Sequence, residues 1–179
     1  MKLLVTLMLV FAMVFAVAGC GNIPALAKTV VQKAYTLTVK VEKTVDSFNV
    51  VSLNQNANTL KKYLTTTDTA LTFVLNYVKN EKIKENLVKA KTILANVITV
   101  LDTTVTEQNI GQVKDQLTAT TQTVKDTLKS IGISLGLKEE DFTSIQVAGV
   151  DSDTLELVVE DIDKMTDDLL KDIKTMEKK

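Results

Sequence analysis

Residues 24–48 read PALAKTVVQKAYTLTVKVEKTVDSF, and two secondary structures compete for them. Apolar residues at Leu26, Val30, Ala34, Leu37, Val41, Val45 and Phe48 recur in steps of three and four, the spacing of one helix face. Within the same stretch Leu37, Val39 and Val41 alternate with polar residues, and β-branching there favours a strand. The helical spacing is sustained over six turns and the alternation over five residues, so the helix prevails. Pro24, the chain's only proline, suits a first helical turn.

The same test carries through the chain. Asn54 to Thr59 is a polar run that reads as a turn feeding an N-cap. A second stripe then takes Leu60, Leu64, Leu71, Val74, Leu75 and Val78 before a break at Asn80. The third runs Ile83, Leu87, Ala90, Leu94, Val97, Ile98, Leu101 and Val105. After a reset at Thr106–Asn109, the fourth runs Ile110, Val113, Leu117, Thr121, Val124, Leu128 and Ile131, with Gly132 placed as a C-terminal cap. Residues 132–152 hold Gly132, Gly136 and Gly149 and read as a loop with a short helix near 138–145. A strand pair through Ser144–Val150 and Leu155–Val159 is the less favoured reading of that region. Asp153 and Glu156 stand at capping-box spacing. The last stripe follows at Leu155, Val158, Ile162, Met165, Leu169, Ile173 and Met176. The fold expected is all-α, an antiparallel bundle of about five amphipathic helices over residues 25–179.

Upstream, residues 1–20 read MKLLVTLMLVFAMVFAVAGC. Lys2 supplies a positive start, Leu3 to Ala18 an apolar run of 16 residues, and small residues follow. That is the pattern of a cleavable export signal, slightly short of the roughly 20 residues that span a bilayer. Val17-Ala18-Gly19-Cys20 resembles the lipobox of bacterial lipoprotein signal peptides: an aliphatic residue, two small ones and a cysteine, here the chain's only one. The resemblance covers residues 1–20 alone. It implies recognition of Val17, Ala18 and Gly19 by the lipoprotein signal peptidase, removal of residues 1–19, and a diacylglycerol thioether on Cys20. Residues 20–24 would then form a lipidated tether. In a double-membraned envelope the same class knowledge reads Gly21 as favouring the outer membrane, facing the periplasm; otherwise the expected place is the outer face of the cell membrane.

Composition narrows the chemistry. All 21 basic residues are lysine; histidine, arginine and tryptophan are absent, and the net charge is −1. A Ser-His-Asp triad, an imidazole-ligated zinc and a bidentate arginine clamp on phosphate are therefore unavailable. A sequence pI near 5.6 offers no electrostatic footprint for nucleic acid. Asp161, Asp163, Asp167 and Asp168 lack the glycine turn of a calcium loop, and Asp151-Ser152-Asp153 lacks the remaining ligands. Glu139 and Glu140 have no aromatic-rimmed partner carboxylates for glycoside chemistry. No catalytic residue, metal site or cofactor is expected.

Charge is also unevenly spread. Residues 138–179 carry 13 acids and six lysines, a net of −7; residues 21–137 carry nine acids and 14 lysines, a net of +5. An acidic last helix packed against basic neighbours is one reading of this; a patch that binds a cationic partner or calcium is the other. The functional expectation is a membrane-anchored envelope lipoprotein with a non-catalytic interaction or structural domain, attached to the membrane through Cys20 and meeting a protein partner there. Two alternatives are a carrier for a lipid or other apolar small molecule, and a phage- or plasmid-encoded exclusion lipoprotein.

Overall fold

The computed structural model describes residues 23–143, 150–151 and 154–178. Val17, Ala18, Gly19 and Cys20, the strand reading of 144–149 and the Asp153 cap therefore lie outside the described residues. Six helices occupy those that are described: α1 Ile23–Val45, α2 Val50–Leu75, α3 Glu81–Val100, α4 Ile110–Ser134, the single turn α5 Glu140–Thr143, and α6 Leu155–Met176. The protein is an all-α bundle. Helices α1 to α4 form an up-down-up-down ring, and α6 lies in the outer groove between α1 and α2. Ion pairs set the register: Lys125 meets Glu42 across α4 and α1, while Lys33 and Lys40 reach Asp172 and Asp161 of α6. Thus α6 runs antiparallel to α1 and, by that register, parallel to α2.

The competition within residues 24–48 has a physical resolution. α1 packs on α2, α4, α5 and α6, so it is buried on several sides instead of one. Ala27, Val31, Leu37, Val39 and Val41 are all buried, whereas Leu26, first in the expected stripe, is only half-buried. The strand-like alternation is the signature of a helix wrapped by neighbours.

The expected turn at Asn54–Thr59 is overturned: α2 runs straight through it. Its N-cap is Asn49, whose Oδ1 accepts from Ser52 N at 2.9 Å while Ser52 Oγ accepts from Asn49 N at 2.9 Å, a reciprocal capping box. The polar run survives inside a helix because its amides turn back on the backbone. Asn54 and Asn56 donate to the carbonyls of Val50 and Ser52, four residues earlier. The break expected at Asn80 is there, and the structure adds that Asn80 is the N-cap of α3, accepting from Ile83 N.

Gly132 is also corrected. It does not end α4, which continues to Ser134; the residue with left-handed backbone is Gly136, at φ 88°. Leu137 N donates to Gly132 O and Gly136 N to Ile133 O, both at 2.9 Å, the paired bonds of a Schellman motif. Gly132 is instead a point of close approach: a Cβ there would stand 2.4 Å from the Phe142 ring. Phe142, on α5, stacks edge-on against Tyr35 of α1 with centroids 4.8 Å apart. In α6 the inward residues are Leu155, Val159, Ile162, Thr166, Leu169 and Ile173; Val158, Met165 and Met176 sit half-buried at the margins. The helix is led in by a reciprocal pair, Thr154 N to Asp151 Oδ1 at 2.9 Å and Asp151 N to Thr154 Oγ1 at 3.2 Å. One continuous apolar cluster runs from Ala27 to Ile173, so the helices close their core among themselves.

Eight threonines are buried in this core. A threonine hydroxyl satisfies itself in a helix by donating to the carbonyl four residues back. Thr38, Thr44, Thr127 and Thr166 do so at 2.7–2.8 Å. The bundle can therefore be rich in threonine without leaving those groups unpaired.

Candidate functional site

The acidic C-terminal segment is a docking surface for the protein's own lysines. Lys62 of α2 lies between Asp163 and Asp167 of α6, at 2.9 and 2.8 Å. The hydrogen bonds that Lys62 donates to Asp167 and then Asp163 raise its pKa above the ordinary lysine value. With Lys40–Asp161 and Lys33–Asp172, three lysines from two helices seat four carboxylates of α6. Glu139 pairs with Lys129 of α4, and Asp141 Oδ2 accepts from Lys138 N at 2.8 Å. Among the described residues no three Asp, Glu, His or Cys side chains gather as a metal-holding group.

The most solvent-shielded ion pair is Glu42–Lys125, whose side chains are 21% and 19% exposed. Lys125 Nζ reaches both carboxylate oxygens at 2.7 Å. It lies in a cleft of about 440 Å³ between α1, α4 and α5, walled by Tyr35, Val39, Thr118 and Phe142. Since each charge is already met by the other, the pair is a fastening between α1 and α4. The buried Tyr63 is another internal group. Its hydroxyl donates to Thr38 Oγ1 at 3.2 Å, and burial pushes its pKa up to about 12 against the lowering effect of that bond.

A different situation holds between α3 and α4. α3 is the most thinly seated of the long helices, with only Leu87, Ala90, Leu94 and Val97 buried. Facing α4, it leaves a cleft of about 240 Å³ lined by Ile93, Asn96, Val97, Val100, Gln116, Ala119 and Thr120. A second cleft of about 300 Å³ continues past Ile93 to Asn86, Lys89, Asp126 and Ser130. Gln116 Oε1 and Thr120 Oγ1 are both buried without a hydrogen-bond partner. Such a group costs about 1–3 kcal/mol. Neither residue was singled out from the sequence. Thr120 stands three residues after Leu117, on the core side of its helix, so its burial was readable; its missing partner was not.

Val17, Ala18, Gly19 and Cys20 lie N-terminal to these features, and α1 begins at Ile23, three residues beyond Cys20. Among the described residues no helix is long and apolar enough to cross a membrane. No protein-family model matches the chain, and no curated protein or solved structure is significantly similar to it.

Proposed function

We propose that the protein is a bacterial envelope lipoprotein, held on a membrane through acyl chains on Cys20, whose helical bundle is a non-catalytic interaction or structural module. The observation that carries this reading is the coincidence of Lys2, the apolar run Leu3–Ala18 and Val17-Ala18-Gly19 with the chain's only cysteine. Two or three acyl chains, at about 0.8 kcal/mol per buried CH₂, hold a protein stably where one does not. The anchor confines the bundle to one membrane face and raises its effective concentration toward a protein partner in the envelope. The surface chemistry supports a module of this kind. The lysines and carboxylates described above are spent on joining helices, and the ion-paired exterior suits a domain carried in water beside the bilayer.

Metabolic labelling with palmitate tests the reading. Wild-type protein is expected to incorporate label and to appear in its processed form, whereas Cys20→Ala should lose the label and accumulate as precursor. Normal processing and labelling of Cys20→Ala would overturn it.

A further inference from the structure

The cleft between α3 and α4 carries an inference independent of the anchor. Thirteen threonine hydroxyls in the long helices donate to a carbonyl of their own helix, among them Thr123 and Thr127 on α4 itself. Thr120 has the same option toward the backbone of Gln116 and does not take it; its hydroxyl is buried with no partner, and the residue is 1% exposed. One helical turn away Gln116 leaves its carboxamide oxygen buried and unpaired as well. Both residues line the same cleft, one helical turn apart on α4. The rest of its lining is Ile93, Val97, Val100 and Ala119, with Asn96 at the side.

We propose that this cleft binds a small uncharged amphiphile: an aliphatic body bearing one hydroxyl or amide N–H, which donates to Gln116 Oε1 and meets the Thr120 hydroxyl. The lining contains no charged side chain, so an ionic ligand would shed its hydration there without a counter-charge. The volume of about 240 Å³ equals that of about eight liquid water molecules, so an occupant seated wholly within this part of the cleft has roughly that many non-hydrogen atoms. Gln116 is half-buried and can turn its carboxamide toward an occupant, while Thr120 is held on the core side of α4. The apolar wall supplies the attraction and the two oxygens supply selectivity for a donor.

The experiment compares two isomers of equal size, 1-hexanol and dipropyl ether, titrated into residues 23–179, whose core closes within itself. Amide and side-chain NMR shifts of Gln116, Ala119, Thr120 and Val97 provide the readout. Hexanol is expected to give saturable shifts confined to these residues, and the ether, which has no donor, to bind at least about tenfold more weakly. Thr120→Val should leave the unfolding midpoint unchanged or raised, because the hydroxyl it removes has no partner, and should weaken hexanol by about tenfold. Ala119→Leu, at an exposed rim position, should fill the cleft and abolish binding without touching the core; it keeps the test intact if Thr120→Val fails to fold. Equal binding of the two isomers, shifts that never saturate, or wild-type binding in Ala119→Leu would each overturn the proposal.

Discussion

The Asn54 carboxamide is docked on the backbone of Val105 in both directions. Val105 N donates to Asn54 Oδ1 at 2.9 Å, and Asn54 Nδ2 donates to Val105 O at 2.8 Å. One side chain thus copies a backbone pairing and ties the first turns of α2 to the α3–α4 connection, 51 residues away. Val105 is 2% exposed, so water cannot take over its N–H and C=O if the amide is removed. Asn54→Leu is expected to destabilise the protein by about 1–3 kcal/mol in urea unfolding. Asn54→Asp keeps the acceptor but loses the donor, and should fall between that variant and wild type. An Asn54→Leu protein as stable as wild type would show that the connection is held elsewhere.

Gly132 is required by contact. Gly132→Ala places a methyl group 2.4 Å from the Phe142 ring, 3.0 Å from a Leu137 methyl and 3.2 Å from Val31, so it should cost about 1–3 kcal/mol. Gly136→Ala acts differently, by forcing a side chain onto a backbone at φ +88° where only Lys28 is near; about 1 kcal/mol is expected. The two causes separate in a double-mutant cycle with Phe142→Ala. Removing the ring should relieve Gly132→Ala but not Gly136→Ala.

Stability should fall on the alkaline side. Tyr63 has its folded pKa raised from 10.0 to about 12 by burial, so between those values the unfolded chain gives up a proton that the folded chain keeps. Its contribution is whole below pH 10 and is lost as pH rises toward 12, a decline on the order of 2 kcal/mol. Lys62 works in the same direction: its raised pKa means a stabilising charge that is present below the unfolded value of 10.5 and lost as pH climbs through the folded value. Tyr63→Phe should cost about 0.5–1.5 kcal/mol near neutrality through the lost bond to Thr38, yet show a shallower alkaline decline. Unfolding curves at successive pH values compare the two; parallel declines would exclude Tyr63 as a cause.

The seating of α6 should be salt-sensitive. Lys62→Met removes the contacts to Asp163 and Asp167 together, and because these groups are partly exposed the loss should be about 0.5–1 kcal/mol at low salt. At high salt the difference between variant and wild type should narrow as screening weakens the pairs. Hydrogen exchange should localise the effect to α6. An effect that does not change with salt would mean that the lysine stem matters there through packing.

Local periodicity settled much of this architecture. The stripes from Ile83 to Leu101 and from Ile110 to Ile131, the break at Asn80 and the short α5 turn could all be read in the chain, because three- and four-residue spacing and its interruption are properties of neighbouring residues. Charge bookkeeping also carried far: an acidic segment of net −7 beside a remainder of net +5 anticipated that α6 would lie against lysines. The candidate site divides in the same way. Cys20 and its preceding Val17-Ala18-Gly19 are a linear pattern, legible without any fold. The α3–α4 cleft depends on how two helices meet beside Gln116 and Thr120, which no local pattern records.

Tertiary packing decided the points at which local reading failed. Asn54–Thr59 looks like a turn until the Asn54 amide finds Val105, a partner from another helix connection. Gly132 looks like a helix end until the Phe142 ring is seen to need the space of its missing side chain. Leu37, Val39 and Val41 alternate like a strand inside a stretch that periodicity reads correctly as helix, and the alternation finds its reason only when α1 is wrapped by four other helices. In each case the deciding term is a contact between residues distant in sequence. Polarity, small size and alternation are ambiguous locally; they acquire one meaning only when the group on the other side is in place.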